Sequence, residues 1–343
     1  MTRQRRSLPQ RDWPTNDVAL WHFAQMRGEL FESSGLAADW KPPTLENVGL
    51  GYSMWLFFLR QRGWLECNEP PCTRVTAHRL EAYVETLQER VSPVSVWGYV
   101  RSISVFLQVA DAEGDRTLIK GVVQKLKRRA QPKRDTRDRL VAPSHIFSAA
   151  IRRMERCIPE ALASPKCALS FGDGLMLAIG ISKPIRRKNS VDTTINCNLK
   201  KTSSGCYHLS FSAQETKTSV PIEADLPQRL TPYIDFWLEK VRPFLLNGRR
   251  SDKFWLAGDG TDLSPSQFYT RHCNASLEEV GRRINPHLMR AVVTTGIAVA
   301  APEMIMITPQ LLDHRDERTT RDAYNLAQQL TASKSYISIL SKW

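Results

Sequence analysis

The sequence predicts a mainly α-helical protein with a small antiparallel β-sheet in its second half. Three observations support this fold class. Apolar residues recur at helical spacing through residues 44–130, apolar and polar residues alternate as in strands within residues 191–223, and helical spacing returns from residue 227. A chain of 343 residues is long enough to form two domains.

Charge is the main compositional signal. The chain has 48 Lys and Arg against 35 Asp and Glu, a formal net charge of +13. This excess favours an acidic polymer as partner, most simply nucleic acid, and a merely basic soluble protein is the alternative. The sequence contains neither an apolar run of the ~20 residues that span a membrane nor the apolar core of a signal peptide. We therefore expect a soluble, cytoplasmic protein. The cysteines are widely spaced without a Cys-x-x-Cys pair, which argues against a zinc site or a disulfide framework.

The first half divides into an extension and a helical module. Residues 17–33 predict one helix within an N-terminal extension, residues 1–38. Residues 39–130 predict four short helices, each with apolar positions on one face. These helices begin at Thr44, Thr76, Ser92-Pro93 and Thr117. Residues 131–143 are basic, rich in proline and almost without apolar residues, which predicts an interdomain linker.

The second half, residues 144–343, mixes helices with a small sheet. Helices are predicted at residues 144–158, 169–181, 227–245 and 263–283, and strands at residues 191–198, 207–213 and 219–223. The tail from residue 325 contains at least one helix.

The stretch from residue 285 to residue 324 holds the strongest candidate for a chemical site. His287 and Arg290 are three positions apart, so on a helix they share one face and can both donate to a single anion. A second histidine, His314, and a tyrosine, Tyr324, follow. This set suits a reaction on a phosphodiester in which the tyrosine hydroxyl is the nucleophile.

Short boxes that occur in order along the second half carry a resemblance to a known family. They are Pro184-Ile-Arg186-Arg, Lys217 within Glu-Thr-Lys-Thr, His287-Leu-Met-Arg290, Leu312-Asp-His314 and Arg318-Thr-Thr-Arg-Asp-Ala-Tyr324. With these boxes, residues 143–324 resemble the tyrosine recombinase (phage integrase) family. The preceding helices resemble the core-binding domain of that family. Any single box is weak evidence, whereas the ordered set is specific.

The resemblance implies an architecture, an activity and a site. It implies an all-α, SAM-like core-binding domain at residues 39–130 and an α+β catalytic domain at residues 144–343, which together form a clamp around DNA. The implied activity is site-specific recombination of double-stranded DNA by a homo-tetramer on two duplexes, of the kind that moves mobile genetic elements. It uses no metal, ATP or other cofactor, and it takes place in the bacterial cytoplasm or nucleoid. The implied catalytic residues are Arg186, Lys217, His287, Arg290, His314 and the nucleophile Tyr324.

General chemistry explains why this reaction needs these residue types. Two arginines can neutralise the non-bridging oxygens of a pentavalent phosphate. A histidine adds a donor or assists proton transfer from the tyrosine, and a lysine can protonate the leaving 5′-oxygen. The tyrosine attack leaves a 3′-phosphotyrosyl bond, which a second 5′-hydroxyl can reverse.

Some assignments have rivals, and some positions depart from the family pattern. The rivals are Arg187 for the first arginine, Lys200 and Lys201 for the lysine, and Tyr336 for the tyrosine. The departures are Asn189 where an acid is usual, Asp313 where glycine is usual and Ala291 where a second histidine is common. Asn189 and Asp313 keep open a second function class, a DNA-binding regulator that no longer cuts. A third class is a type IB topoisomerase, which shares the chemistry.

Overall fold

The computed structural model describes residues 6–29, 31–130 and 141–307. The chain divides into a first unit, residues 1–135, and a second unit, residues 136–343. Each unit has its own core of buried apolar side chains. Within the described ranges, none of the helices is long and apolar enough to cross a membrane.

The first unit is all-helical in its described part. Its α4 packs against each of the other four helices, so it forms the centre of the unit. The side chains of Thr76 and Ser92 cap α3 and α4 by accepting backbone N–H groups, which explains where these helices begin. The helices are α1 (Thr15–Gln25), α2 (Pro42–Gln61), α3 (Ala77–Gln88), α4 (Pro93–Ala110) and α5 (Thr117–Arg129).

The helix predicted for residues 17–33 was wrong in its second half, because α1 ends at Gln25. The backbone of Met26 is extended, and the chain then folds back onto the end of α1. Gly35 N–H donates to the Met26 carbonyl at 2.9 Å, and Ala37 N–H donates to the Ala24 carbonyl at 2.7 Å. A side chain at Gly35 would lie 2.3 Å from the carbonyl oxygen of Phe23, so glycine permits this reversal.

The predicted N-terminal extension contributes large side chains to the core of the first unit. Trp13 and Trp21 are 6% and 4% exposed. Trp21 packs against Phe106 of α4 with ring centroids 5.1 Å apart, and Trp13 packs edge-on against Tyr52 of α2 at 5.2 Å. The described part of this segment is therefore integral to the helical unit. Residues 131–140 of the predicted linker lie outside the described residues.

The second unit combines helices with a three-stranded antiparallel sheet of order β1-β2-β3. This confirms the predicted fold class, mainly α with a small antiparallel sheet. A π-helical turn, Trp237–Val241, joins α9 to α10. The elements are α6 (Pro143–Cys157), α7 (Pro165–Ser182), α8 (Arg187–Asp192), β1 (Leu199–Lys201), β2 (Tyr207–Phe211), β3 (Ile222–Asp225), α9 (Thr231–Phe236), α10 (Arg242–Leu246), α11 (Pro265–Val280) and α12 (Pro286–Ala300).

The strand predicted for residues 191–198 was wrong. The helix α8 runs through Asp192, and the chain then turns at Asn196, whose φ of 61° lies in the left-handed region. The Thr193 hydroxyl donates to the Asn189 carbonyl, and the Asn198 side chain accepts the N–H of Thr194. Hydroxyl and amide side chains that bond nearby backbone favour turns over strands, and here they shorten β1 to Leu199–Lys201.

A cluster of ion pairs around the buried Arg153 and around Arg271 joins α6, α7 and α11. Arg153 of α6 donates to Glu278 at 2.7 Å and to Glu279 at 3.0 Å, both on α11. Arg271 of α11 donates to Asp173 of α7 at 2.7 Å. These charge-assisted bonds hold α7 and α11 side by side, which matters for the site because α8 follows α7 and α12 follows α11.

Candidate active site

Four of the six predicted site residues lie in the described part of the chain. Arg186 is half-buried at the N-cap of α8, and Lys217 is exposed in the turn between β2 and β3. His287 is exposed in the first turn of α12, and Arg290 is buried one turn later. The other two predicted residues lie outside the described residues: His314 and Tyr324.

Arg290 connects α12 to the segment that precedes α8. Its Nη1 donates to the carbonyl oxygen of Pro184 at 2.5 Å, although the two residues are 106 positions apart. The Arg290 residue is only 4% exposed. Pro184 lies two residues before Arg186, so this contact draws the two arginine-bearing segments together.

Arg186 in turn reaches the β2–β3 connection. Its Nη1 lies 3.5 Å from the hydroxyl oxygen of Thr218, the residue directly after Lys217. Together with the contact between Arg290 and Pro184, this brings the segments of three predicted site residues into one place. His287 shares α12 with Arg290 and is therefore carried to the same region.

The turn that bears Lys217 is closed at its base by hydrogen bonds. One carboxylate oxygen of Glu215 accepts the N–H of Ser212 at 2.8 Å, and the other accepts the side-chain amide of Asn198 at 2.9 Å. Thr216 then bonds Val220 in both directions, donating its hydroxyl to the carbonyl and accepting the N–H. These bonds close the loop on either side of Lys217, so the position of its backbone is set by the scaffold.

Asn189 is part of the same scaffold. It is 3% exposed, and its Nδ2 donates to the backbone carbonyl of Glu215 at 3.1 Å. An ionised carboxylate has no hydrogen to donate to a carbonyl, so aspartate at this position would lose the bond. The amide therefore fits this chain, and it joins α8 to the base of the turn that bears Lys217.

Two of the rival residues have identifiable partners in the second unit. The Arg187 guanidinium stacks over the ring of Tyr269 on α11 at 5.8 Å, whereas Arg186 reaches the β2–β3 turn. The Lys201 ammonium donates to both oxygens of Asp235 at 2.7 and 2.9 Å. Arg187 and Lys201 are thus engaged by Tyr269 and Asp235, and the chemical roles of Arg186 and Lys217 stay predictions.

The outward face of the sheet carries a charged clamp around His208. Its Nδ1 lies 2.6 Å from a carboxylate oxygen of Asp225, and its Nε2 lies 2.6 Å from one of Glu223. Both ring nitrogens donate in these two bonds only when the ring is an imidazolium. Its hydrogen bonds to Asp225 and Glu223 raise the pKa of His208. The clamp joins β2 to β3 at the end of the ladder away from the turn that bears Lys217, where His208 pairs with Asp225.

Comparison with solved structures identifies the fold. The XerH site-specific recombinase, bound to palindromic difH substrate in a post-cleavage complex, superposes with a TM-score of 0.57 at 12% identity, covering 98% of each chain. A lambda integrase dimer bound to a COC' core site superposes with a TM-score of 0.51 at 16% identity, covering 84% of this chain and 73% of that one. The chain has the tyrosine recombinase fold. At the level of sequence, no protein-family model and no curated protein matches the chain.

Sequence reasoning missed the role of Glu215, which closes the base of the turn that bears Lys217. The Ser212-x-x-Glu215 spacing is a capping-box pattern, and it would have indicated a role for Glu215. The contact between Asn189 and the Glu215 carbonyl has no comparable sequence signal, because it joins residues that are 26 positions apart.

Proposed function

We propose that the chain is a site-specific DNA recombinase that cuts and rejoins strands through a covalent 3′-phosphotyrosyl intermediate. The observation that carries this proposal is the pair of contacts from Arg290 to Pro184 and from Arg186 to Thr218, on a tyrosine recombinase fold. They gather two arginines and a lysine-bearing turn, which are the cationic groups that a phosphodiester reaction requires.

Each residue has a defined part in the proposed step. Arg186 and Arg290 donate to the non-bridging phosphate oxygens and stabilise the charge that develops on them. The Tyr324 oxygen attacks phosphorus, and the tyrosine proton passes to a histidine of the pair His287 and His314. As the bond from phosphorus to the 5′-oxygen breaks, Lys217 protonates that oxygen.

The reaction conserves the energy of the broken bond. The phosphotyrosyl link replaces a phosphodiester, so a 5′-hydroxyl from a second duplex can reverse the attack and restore DNA. We propose double-stranded DNA as the partner, in the bacterial cytoplasm or nucleoid, and a tetramer on two duplexes as the working form. The net charge of +13 supports a phosphate-rich partner.

The test is covalent trapping of DNA by the full chain. Protein is incubated with fragmented genomic DNA of its host, denatured in SDS, and the DNA ends that remain attached are sequenced. A nicked suicide substrate is then built from the recovered site. We expect Tyr324→Phe to form no adduct and to bind the site as the wild type does, because only the nucleophilic oxygen is lost.

Tyr336→Phe is the matched control, since it removes a hydroxyl from the rival tyrosine. It is expected to form the adduct at the wild-type rate. An adduct that persists in Tyr324→Phe would contradict the nucleophile assignment. Binding without any adduct in the wild type would indicate the non-cutting regulator, and relaxation of arbitrary plasmids would indicate the topoisomerase.

A further inference from the structure

His272 on α11 is a buried imidazole that the proposed chemistry does not use. It is 2% exposed, and its Nδ1 lies 3.0 Å from the carbonyl oxygen of Ile284. Because a carbonyl oxygen only accepts, Nδ1 carries the proton. Burial lowers the pKa of His272 to about 4, so the ring is neutral near pH 7 and this bond fixes its tautomer.

Ile284 is the residue through which α11 holds the beginning of α12. Its N–H donates to the hydroxyl oxygen of Ser276 at 2.8 Å. The hydroxyl proton of Ser276 is shared between the Cys273 carbonyl at 2.9 Å and the Ile284 carbonyl at 3.2 Å. Since Ser276 has only one proton and the nearer acceptor is Cys273, His272 is the principal donor to the Ile284 carbonyl.

The cap and first turns of α12 follow Ile284 directly. The Asn285 side chain accepts the N–H of Leu288 at 2.8 Å, which fixes the direction in which the helix leaves. His287 and Arg290 lie within these turns. A displacement of Ile284 would therefore move both predicted phosphate donors together.

The contact between His272 and Ile284 fixes the beginning of α12 beside a small cavity. Further along the helix, α12 is also held by the bond from Arg290 to the Pro184 carbonyl. His272, Pro184 and Met289 all line this cavity, whose volume is about 30 Å³. The helix is thus held by its entry residue on one side and by its arginine on the other.

We propose that His272 is a positioning residue for the recombination step, whose Nδ1–H holds Ile284 and thereby sets the location of His287 and Arg290. This inference rests on the proposed function. His272 touches neither DNA nor the nucleophile, and it acts through α12.

Three substitutions at His272 separate the donor from the volume that the ring fills. Asparagine places an amide N–H where Nδ1 lies, glutamine places its amide near Nε2, and leucine has no donor. With a donor role, His272→Asn retains most of the cleavage rate, and His272→Gln and His272→Leu lose about 100-fold, the scale of a 1 Å misplacement. A packing role reverses the order, because asparagine is the smallest of the three.

Two measurements on the full chain rank the three His272 variants and so decide between the donor role and the packing role. One is the single-turnover rate of adduct formation on the nicked site, with DNA affinity measured alongside and expected to be unchanged. The other is hydrogen exchange of the amides of residues 284–290, which is expected to be faster in His272→Gln and His272→Leu than in His272→Asn. Ser276→Ala leaves the imidazole in place and removes the acceptor of the Ile284 N–H, so exchange at Ile284 is expected to rise in it too.

The outcomes separate this inference from the proposed function. A wild type that forms no adduct refutes the recombinase, and the exchange order then decides the role of His272 alone. Equal exchange in all three His272 variants, or slowest cleavage in His272→Asn, overturns the positioning role whether or not the recombinase stands.

Discussion

A buried ion pair between Asp17 and Arg74 yields the sharpest stability prediction for the first unit. Both side chains are 0% exposed, and Arg74 Nη1 lies 2.5 Å from Asp17 Oδ2. The Tyr52 hydroxyl donates to the same carboxylate oxygen at 2.7 Å. Asp17 lies on α1, Tyr52 on α2 and Arg74 just before α3, so this cluster fastens three parts of the unit.

The substitution Asp17→Asn keeps the shape of the side chain and removes its charge. The guanidinium of Arg74 then stays buried without a counter-charge, which costs about 3–5 kcal/mol of unfolding free energy. Domains of this size are stable by about 5–15 kcal/mol, so the unit becomes marginal.

The double variant Asp17→Leu/Arg74→Met removes both charges. It also removes two buried polar atoms that have no hydrogen-bond partner among the described residues, Asp17 Oδ1 and Arg74 Nη2. Apolar replacement of a whole buried pair is often neutral or stabilising. We therefore expect the double variant to recover part of the stability that Asp17→Asn loses, the remainder being the cost of the buried Tyr52 hydroxyl, which loses its acceptor.

The assay is hydrogen exchange of the full chain in a urea series. Peptides from α2 and α4 report the first unit, and peptides from α7 serve as the internal control because they belong to the other core. A loss of unfolding free energy below about 1 kcal/mol in Asp17→Asn would refute the reasoning, because exposed ion pairs contribute that little. A double variant as unstable as the single one would refute it equally.

Two further predictions concern the β2–β3 turn and the strands that it joins. Asn189→Asp removes the donor to the Glu215 carbonyl and is expected to lower the unfolding free energy of the second unit by about 1–3 kcal/mol. Urea unfolding measures this loss, and Asn189→Gln is the control because it keeps an amide. Unchanged stability in Asn189→Asp would contradict the role of Asn189. The clamp at His208 contributes fully below its unfolded pKa of about 6.5, and the contribution falls as pH rises through the raised pKa of the folded chain. After correction for the intrinsic pH dependence of amide exchange, the exchange of β2 and β3 is therefore expected to quicken above neutral pH. The expected change corresponds to about 0.2–1 kcal/mol, because the two carboxylates are largely exposed. His208→Gln is expected to abolish this pH dependence, and an unaltered profile in that variant would rule the clamp out.

Local signals predicted many of the elements correctly. The starts at Thr76 and at Ser92-Pro93 agree with the structure, because a capping side chain and the N–H that it accepts are only three residues apart. The sheet in the second half follows from alternation at Tyr207–Phe211, where every second side chain is buried. Both signals depend on neighbours in the sequence.

The errors occur where distant contacts decide the conformation. The pattern of residues 17–33 is helical, yet the chain reverses after Gln25 because Gly35 and Ala37 bond back to the end of α1. The alternation in residues 191–198 suggests a strand, yet side chains of Thr193 and Asn198 bond nearby backbone and form a turn. Local propensity is a weak prior when such bonds compete with it.

By itself, the sequence determined the fold class and the candidate residues of the site, because residue type and order are enough to indicate phosphate chemistry. Only the tertiary structure decided how those candidates are held. Arg290 meets Pro184 across 106 positions, and Asp17 meets Arg74 across 57. His272, on the preceding helix, donates to the carbonyl of Ile284. The physical reason is that a buried donor must find an acceptor once water is excluded, and only packing determines which acceptor lies within reach.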